Sequence, residues 1–302
     1  MKKLLLIINP RAGKMTMRSS LFDIIQIFCE NNWLVTTQIT SGRGDATVMA
    51  MEAETEKGYN LIVCCGGDGT LNEVVNGIVQ GGGTLPVGYI PAGSTNDFAD
   101  SMGISTDLIQ AAYSITKCRS PIKLDLGLFN NSRVFTYIAS FGAFTATSYT
   151  VPQNMKNAMG HFAYVLGGIM DVTTIKPYHV SAQANGETYE GDYIFGAVSN
   201  SSSVGGIIKL GNEAVSLNDG KFEVLLVKNP STPTELHKVF WGLFNADFSD
   251  SKAFDFFRTD KIKFDMPDGM DWSLDGEYEP WKNVVEIENI HSGIKLWYKP
   301  KK

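Results

Sequence analysis

The stretch VCCGGDGTLNEVVNG, residues 63–77, decides the fold of the first part of the chain. A short apolar run stops at two glycines, an aspartate and a third glycine, and a helical pattern begins at once. Leu71, Val74 and Ile78 fall on one helical face, so the stretch predicts a buried strand, a tight turn and an amphipathic helix. Such a glycine turn lets backbone N–H groups approach an anion, and the helix dipole adds partial positive charge.

The same alternation of strand and helix extends over the N-terminal part of the chain. Patterning predicts strands at Leu4–Ile8, Leu34–Thr40, Leu61–Cys65 and Pro86–Ile90, and helices at residues 18–31, 46–57, 71–79 and 107–117. Strands without polar alternation, separated by amphipathic helices, indicate a parallel sheet covered on both faces. We therefore expect an N-terminal Rossmann-like, three-layer α/β domain.

The pattern changes near Ile122–Asp125, where short β-rich runs separated by turn dipeptides begin. The turn dipeptides are Asn185-Gly186, Asp219-Gly220, Asp268-Gly269 and Asp275-Gly276. They predict a C-terminal, mostly antiparallel β-sandwich domain, with helices near residues 155–173 and 233–247. The predicted domains are residues 1–124 and 125–289, with the tail at 290–302 able to pack back on the first domain.

Composition limits the classes of function. The chain has 302 residues, of which 43% are hydrophobic, a net charge of −6 and a pI near 5.3. This acidic balance argues against a nucleic-acid binder and against binding to acidic lipid through a polybasic segment. Leu4–Ile8 is too short for a signal peptide, and no run approaches the ~18 apolar residues of a transmembrane helix, so we expect a cytoplasmic protein without a transmembrane segment. The cysteines lack metal-ligand spacing, so we expect free, buried thiols and no zinc.

The glycine turn around Asp68 fits neither of two familiar phosphate loops. A Walker A loop needs Gly-Lys-Ser/Thr, whereas Gly13-Lys14 is followed by Met15, and a Rossmann fingerprint needs a third glycine where Asn72 stands. A carboxylate beside a polyphosphate is repulsive by about 4 kcal/mol per pair of unit charges at 4 Å and an effective dielectric near 20. Such a site needs Mg²⁺ between the carboxylate and the phosphates. The alternative is a tight strand–helix turn with Asp68 near a helix N-terminus.

A second turn of the same kind follows the next strand. The stretch VGYIPAGSTNDFA, residues 87–99, ends a strand in small residues and then presents Ser94, Thr95, Asn96 and Asp97. Parallel strands bring their C-terminal turns to one edge of the sheet, where ligands bind, so we expect the two turns to lie side by side. The alternative is a capped helix start.

Together these motifs resemble the catalytic domain of the diacylglycerol kinases, and more narrowly the bacterial soluble lipid kinases of that family. The resemblance covers nearly the whole chain. Its matching segments are residues 66–77 and 91–99, Asn9–Lys14, Thr40 with Gly44–Ala46, Leu124–Gly127 and Ser273–Glu277. The GGDGT turn is shared with NAD kinases and sphingosine-type kinases, whereas PAGSTNDFA together with LDGE is more specific.

The resemblance implies a role for each matching residue. ATP would be bound in the first domain by Asn9, Thr40, Gly66, Gly67, Asp68, Gly69, Thr70, Leu71, Asn72 and Thr95. A water-linked network around a catalytic Mg²⁺ would consist of Lys14, Asp68, Asp97 and Asp125. In the second, lipid-substrate domain, Glu277 would be the general base for the lipid hydroxyl; without the resemblance it reads as an ordinary hairpin carboxylate. A structural Mg²⁺ would be held by Ser216, Asp219 and Lys221, for which the alternative is a plain Asx turn.

Two aromatic segments are candidates for the acceptor side. Residues 140–170 mix aromatics, methionines and glycines, and residues 239–257 are rich in Phe and Trp. Either segment could line a lipid cleft or rest on a bilayer surface, and the alternative for each is core packing of a helix. Asp100 stands where a basic residue is common in the family, which weakens any expectation of an anionic head group nearby.

The leading hypothesis is a kinase that transfers the γ-phosphoryl group of ATP to the hydroxyl of diacylglycerol or a related lipid at the inner membrane face. One alternative is an NAD-type kinase that shares the glycine turn, and another is a nucleotide-binding regulator that has lost catalysis. The presence of Asp68, Asp97, Asp125 and Glu277 argues against the regulator. The sequence leaves the identity of the lipid and the existence of a homodimer open.

Overall fold

The computed structural model describes residues 1–13, 17–56, 58–142, 176–200, 203–204, 208–209 and 217–299. The chain divides into two compact units. Unit 1 is Met1–Leu126 with His291–Lys302, and unit 2 is Gly127–Ile290. Both boundaries fall inside strands, one in β5 (Ile122–Phe129) and the other in β15 (Glu277–Leu296).

Unit 1 is built around a parallel sheet. Its strands are β1 (Lys2–Ile8), β2 (Trp33–Ile39), β3 (Leu61–Gly66), β4 (Val87–Pro91) and the end of β15, in the spatial order β15-β4-β3-β1-β2. Its helices are α1 (Met17–Glu30), α2 (Asp45–Thr55), α3 (Asp68–Gly81), α4 (Asp97–Met102) and α5 (Leu108–Thr116). These strands all pair in parallel, so the Rossmann-like class predicted for this half is confirmed.

The apolar strands explain the burial of this sheet. Residues 4–8 of β1, all of β3 and all of β4 are buried, as expected for strands covered on both faces. The helices pack in pairs, α1 with α5 and α2 with α3. The second pair is close because Gly77 has no side chain: a Cβ there would lie 2.2 Å from the carbonyl oxygen of Thr47.

Unit 2 is mostly antiparallel β-structure. Besides the rest of β5 and β15 it contains β6 (Arg133–Phe135), β7 (Ile138–Gly142), β8 (Tyr178–Ala184), β9 (Glu187–Ser199), β10 (Ser203–Val204), β11 (Ile208–Lys209), β12 (Phe222–Lys228), α6 (Pro233–Asn245), β13 (Phe254–Thr259) and β14 (Lys261–Leu274). Strand β9 pairs first with β8 and then with β7 and β12, and β14 likewise pairs with β8 and then β7. Strands that change partners in this way connect the layers of a sandwich, the predicted class, which is confirmed.

The core of unit 2 centres on Trp272. Its ring lies at a steep angle to the rings of Phe129, Phe141 and Phe264, with centroids 5.4, 4.9 and 5.2 Å away. Edge-to-face contacts of this kind contribute about 0.5–1.5 kcal/mol each beyond the apolar area that they bury. This packing fixes the second half of β14, which leads directly into the turn before Glu277.

Two local expectations are wrong. Asp268-Gly269 is not a turn, because both residues lie within β14, where the register against β15 shifts after Asp265 and the strand bulges. The cysteines are free, but only Cys64 and Cys65 are buried, whereas Cys29 is exposed and Cys118 is half-buried. The helix expected at residues 155–173 lies outside the described residues, while the one expected at 233–247 corresponds to α6. In the part of the chain that is described, no helix has the length and apolar character needed to cross a membrane.

Candidate active site

Three glycine-containing loops meet at the carboxyl ends of β1, β3 and β4. They are residues 9–13, 66–69 and 91–96. The backbone N of Asn9 donates to the carbonyl oxygen of Cys65 at 2.9 Å, which joins the first loop to β3. The sheet therefore brings the predicted turns to one edge, as parallel strands require.

Glycine allows these loops to approach each other closely. A Cβ on Gly93 would lie 2.6 Å from the Cα of Gly67 and 2.8 Å from Oδ1 of Asn96. Gly13 has a φ of +55°, and a Cβ there would lie 2.3 Å from the carbonyl oxygen of Ala92. A side chain at either position would overlap backbone atoms, so the loops can pack this way only with glycine.

Asp68 begins α3 and joins two of the loops. Its Oδ2 accepts a hydrogen bond from the backbone N of Asp97 at 3.0 Å, and its Oδ1 accepts one from the backbone N of Phe98 at 3.3 Å. These donors are the first amides of α4, so the carboxylate caps that helix and is stabilised by its dipole. The hydroxyl of Tyr89 lies 3.5 Å from Oδ1 of Asp68 and 3.4 Å from Oδ1 of Asn96. Burial, and secondly the charge of Asp68, raise the pKa of Tyr89 far above its usual range, so its hydroxyl remains a donor.

The start of α3 is suited to an anion. Its N-cap is Gly67, which has no side chain that could make a capping hydrogen bond. The N-cap of α2 is also a glycine, Gly44, and there the carboxylate of Glu73 accepts from the backbone N of Gly44 and of Ala46 at 2.9 and 3.3 Å. The backbone N–H groups at a helix start can bind a phosphate.

Several side chains of the predicted nucleotide set lie at this edge of the sheet. The Nδ2 of Asn9 donates to the hydroxyl of Thr70 at 2.9 Å, which links the loop after β1 to α3. Thr40 is buried just beyond β2, and its hydroxyl donates to the carbonyl oxygen of Ile8 at 3.4 Å. Thr95 is exposed. The other members of the set belong to the turn after β3 and the first turns of α3: Gly66, Gly67, Gly69, Leu71 and Asn72.

Asp97 and Asp125 have different surroundings. Asp97 is half-buried at the start of α4; burial raises the pKa of its carboxyl, and the nearby charge of Asp100 raises it further. A cation beside Asp97 would lower that pKa again. Asp125 is fully buried, and its Oδ1 accepts from the backbone N of Ser292 at 2.7 Å and lies 2.9 Å from Nδ1 of His291. The structure thus brings Asp68 and Asp97 together and attaches Asp125 to β15, whereas Lys14 lies outside the described residues.

Glu277 begins β15 in unit 2 and is held by an arginine. Its Oε2 lies 2.7 Å from Nη2 of Arg133, and Nη1 of the same guanidinium lies 2.7 Å from Oε2 of Glu279. Residues two apart on a strand share a face, so one guanidinium can bind both carboxylates. Because its side chain remains 29% exposed, Glu277 is an oriented yet accessible carboxylate.

A buried carboxylate fixes the turn before Glu277. Oδ2 of Asp275 accepts from the backbone N and the hydroxyl of Thr136 at 2.6 and 2.8 Å, and Oδ1 accepts from the backbone N of Tyr137 and of Ile138 at 3.0 and 3.1 Å. Burial raises the pKa of Asp275, and these hydrogen bonds oppose the rise. The motif therefore uses one acid to hold the turn and another, two residues later, to face outward.

The predicted structural metal site contains an ion pair. Oδ1 of Asp219 accepts from the backbone N of Lys221 at 3.1 Å, as in an Asx turn, and its Oδ2 pairs with the guanidinium of Arg258. The Nε of Arg258 also donates to Oε1 of Glu223 at 3.1 Å. Burial raises the pKa of Glu223 to about 7, against the lowering effect of Arg258. Ser216 lies outside the described residues, so the magnesium site stays a prediction, and Asp219 does not fit a divalent ion while Arg258 is in place.

The aromatic segments are described only in part. The first, at 140–170, lies almost wholly outside the described residues. The second contains α6, where Val239 and Leu243 are buried while Trp241 and Phe244 are 47% and 49% exposed. Core packing therefore accounts for one face of α6 and leaves aromatic side chains on the other.

The acids of unit 1 are more typical of a metal ion that is shared with substrate phosphates than of one held by protein side chains alone. Within the described residues, no group of three or more His, Cys, Asp or Glu side chains could hold a metal ion. Mg²⁺ is commonly held by one or two carboxylates together with substrate phosphates and water. Asp68 and Asp97 are neighbours, because a hydrogen bond of 3.0 Å joins the carboxylate of the first to the backbone N of the second. Both residues supply carboxylates, which are the donor type that such a shared ion prefers.

Comparison with known proteins assigns the family. The model of the diacylglycerol kinase catalytic domain matches residues 3–128, and that of the YegS C-terminal NAD kinase beta sandwich-like domain matches residues 139–287. The diacylglycerol kinase of Bacillus subtilis (strain 168) is 32% identical over 296 residues, which cover 96% of this chain and 96% of that protein. The chain belongs to the diacylglycerol kinase family.

Other diacylglycerol kinase relatives agree over most of the chain. The diacylglycerol kinase of Staphylococcus aureus (strain bovine RF122 / ET3-1) is 30% identical and covers 92% of this chain and 86% of its own length. A crystal structure of a diacylglycerol kinase candidate from Bacillus anthracis str. Sterne matches with a TM-score of 0.81 and 25% identity, covering 99% of this chain and 96% of that chain. Membership of the diacylglycerol kinase family supports a lipid kinase.

Sequence reasoning missed several neighbours of the predicted residues. Tyr89 and Asn96 lie within the stretch at residues 87–99. Nothing in the sequence indicated that Tyr89 contacts Asp68 or that Asn96 contacts Gly93. Arg133 lies 144 positions before Glu277, and no local pattern connects the two.

Proposed function

We propose that this chain is an ATP- and Mg²⁺-dependent kinase that transfers the γ-phosphoryl group of ATP to the hydroxyl of diacylglycerol or a related lipid. The observation that carries the proposal is Asp68, whose carboxylate is fixed by the amides of α4 and lies at the start of α3, directly after the glycine N-cap Gly67. A fixed carboxylate at a glycine-capped helix start suits a phosphate that arrives with Mg²⁺. Family membership supports the same reading.

The nucleotide would be bound by residues 1–124. The backbone of Gly66–Gly69 would hold phosphate oxygens, and the polar groups of Asn9, Thr40, Thr70 and Thr95 would add donors. Phosphoryl transfer depends mainly on positioning and on neutralising charge. The close contact between Gly67 and Gly93 serves the first need, because it leaves the two loops little freedom to move.

Mg²⁺ would be held by Asp68 and Asp97, with Asp125 and Lys14 in the surrounding network. When bound, it would supply charge neutralisation at the transferred phosphoryl group. The backbone N–H groups of α4 keep the carboxylate of Asp68 in one orientation for this task. Asp97 must be ionised to take part, so its raised pKa predicts weaker function in acid.

Glu277 would be the general base in the lipid-substrate domain, residues 125–289. A base has to be within hydrogen-bond reach of the proton that it takes, so its orientation matters before its basicity. Arg133 fixes that orientation from one side, and the turn held by Asp275 fixes the backbone from the other. Exposed Trp241 and Phe244 add apolar surface suited to a lipid at the inner membrane face.

A second candidate is an NAD-type kinase. The observation in its favour is that the family model matching residues 139–287 is described as NAD kinase beta sandwich-like. Both candidates use an alcohol as acceptor, so the residues named above would serve either reaction.

The test is a panel of acceptors incubated with radiolabelled ATP and Mg²⁺. The panel contains micellar diacylglycerol, phosphatidylglycerol, an undecaprenol-like alcohol, a sphingoid base and NAD, with products separated by chromatography. We expect label on a lipid, no label on NAD, and no transfer after EDTA treatment. Label on NAD alone would replace the lipid kinase by the second candidate, and ATP binding without transfer to any acceptor would refute both.

A further inference from the structure

Arg258 lies between two carboxylates of unit 2, outside the residues proposed for catalysis. Its Nη2 pairs with Oδ2 of Asp219, and its Nε lies 3.1 Å from Oε1 of Glu223. Arg258 on β13 and Glu223 on β12 are directly opposite in the antiparallel register. Directly opposed residues of opposite charge stabilise a strand pair, so the position of Arg258 is set by the sheet itself.

Glu223 depends on this arginine. The residue is only 3% exposed, and within the described residues its Oε2 is buried without a hydrogen-bond partner. A buried carboxylate is costly unless a positive charge or several donors lie beside it. The guanidinium of Arg258 supplies that charge at Oε1.

Asp219 is satisfied by the same group. One carboxylate oxygen accepts from the backbone N of Lys221 at 3.1 Å, and the other pairs with Arg258. A guanidinium presents several donors in a rigid plane and remains charged at every physiological pH. It can therefore pair with two carboxylates at once, and it occupies the side of Asp219 that a divalent ion would otherwise have to approach.

We propose that Arg258 is the resident cation of this site, so that it pairs with both Asp219 and Glu223 and unit 2 is stable without a divalent ion at the Asp219 turn. The proposal does not depend on the kinase activity. It distinguishes this chain from a protein whose β-sandwich needs magnesium at the corresponding turn.

The test is thermal unfolding of the full chain without nucleotide, followed by circular dichroism. The wild type should have the same Tm after EDTA treatment as in Mg²⁺, and elemental analysis should find the same bound metal in the wild type and in Asp219→Asn. Arg258→Met keeps the length of the side chain but removes its charge, so it should lower the Tm by about 5 °C. Added Mg²⁺ should recover part of that loss, because two unpaired carboxylates then face each other. Arg119→Met changes an exposed arginine of unit 1 and should leave the Tm unchanged.

Three outcomes would overturn the proposal. One is a bound divalent ion that the wild type carries and Asp219→Asn lacks. Another is a Tm that falls with EDTA in the wild type but not in Asp219→Asn. The third is an Arg258→Met protein as stable as the wild type. If Arg258→Met does not fold, the metal analysis of the wild type and of Asp219→Asn decides alone.

Discussion

Nη2 of Arg133 lies 2.7 Å from Oε2 of Glu277, and the other terminal nitrogen of the same guanidinium is held by Glu279. The ion pair with Glu279 therefore restricts the movement of the Arg133 side chain. A carboxylate tied to an anchored arginine keeps one orientation, which is what a general base needs before its substrate arrives.

Glu277→Gln should abolish phosphoryl transfer and leave the fold intact. Glutamine keeps the size of the side chain but cannot accept a proton, so we expect kcat to fall by about 10²–10⁴-fold with an unchanged KM for ATP. The matched control is Glu288→Gln, the same change at an exposed residue of the same strand, which forms an ion pair with Lys261. Full activity of purified Glu277→Gln would refute its assignment as the base.

Arg133→Ala should slow the reaction by releasing Glu277 from its orientation. We expect kcat to fall by about 10–100-fold, with little change in the KM for ATP. Guanidinium added to the assay should restore part of the rate, because it can occupy the space of the missing side chain. Arg119→Ala, an exposed arginine in unit 1, should lose no activity and gain nothing from guanidinium. A lower rate without any rescue would point to a purely structural role.

Asp68→Asn should remove activity at little expense of stability. Asparagine retains one oxygen for the amides of α4, but it lacks the charge proposed to hold Mg²⁺, so we expect at least about a 100-fold loss of kcat. The control is Asp107→Asn, which changes another helix cap of unit 1, where Oδ1 accepts from the backbone N of Gln110 at 2.8 Å. Both variants should unfold within a few degrees of the wild type, since Asn and Asp are similar caps. Equal activity in the two variants would show that Asp68 is only a cap.

Gly93→Ala should separate the loops that are proposed to surround a nucleotide. A Cβ 2.6 Å from the backbone of Gly67 forces the chain to move, so we expect weaker ATP binding and a loss of stability of about 1–3 kcal/mol. Gly42→Ala is the control, because a Cβ there would meet nothing within 4 Å. Titration calorimetry with ATP and thermal unfolding would measure the two effects, and unchanged ATP affinity in Gly93→Ala would argue against a nucleotide at this edge.

Asp100→Asn should extend activity toward acid. Burial and, secondly, the charge of Asp100 raise the pKa of Asp97, so removal of that charge lowers the pKa and leaves more of Asp97 ionised at a given acidic pH. The acid limb of the pH–rate profile should therefore move to lower pH. Asp107→Asn also removes one negative charge, but Asp107 is not among the causes of the raised pKa of Asp97, so the profile should stay in place. A profile that moves equally in both variants would mean that net charge, and not the neighbour of Asp97, sets it.

The parallel half of the fold could be predicted because its signals are local. Strands β1, β3 and β4 are apolar runs followed by glycine-containing turns, so their order along the sheet half follows from neighbouring residues. The meeting of the turns at one edge then follows from the parallel arrangement. What could not be predicted was how closely the loops approach, because the contact between Gly67 and Gly93 depends on the exact register of β3 and β4.

The antiparallel half shows where local signals fail. Asp275-Gly276 and Asp268-Gly269 are the same dipeptide, yet the first is a hairpin turn and the second lies in a bulged strand. The difference comes from tertiary contacts: four hydrogen bonds from Thr136, Tyr137 and Ile138 hold Asp275 in place. The partner of Asp219 was likewise invisible, because Arg258 lies opposite only once β12 and β13 have paired.

The backbone N of Ser292 donates to Asp125 at 2.7 Å although 167 positions separate them. The end of β15 thus completes the parallel sheet of the α/β half, although it is synthesised after unit 2. A fragment ending at Leu126 would lack the strand beside β4, together with the hydrogen bonds that Trp297 and Tyr298 make to Ile115 and Met102. Leu126 and His291 are close in space, because the neighbouring Asp125 contacts His291. A short glycine linker between Leu126 and His291 would therefore join the two segments of unit 1 into one chain, in which ligand affinity could be measured apart from catalysis.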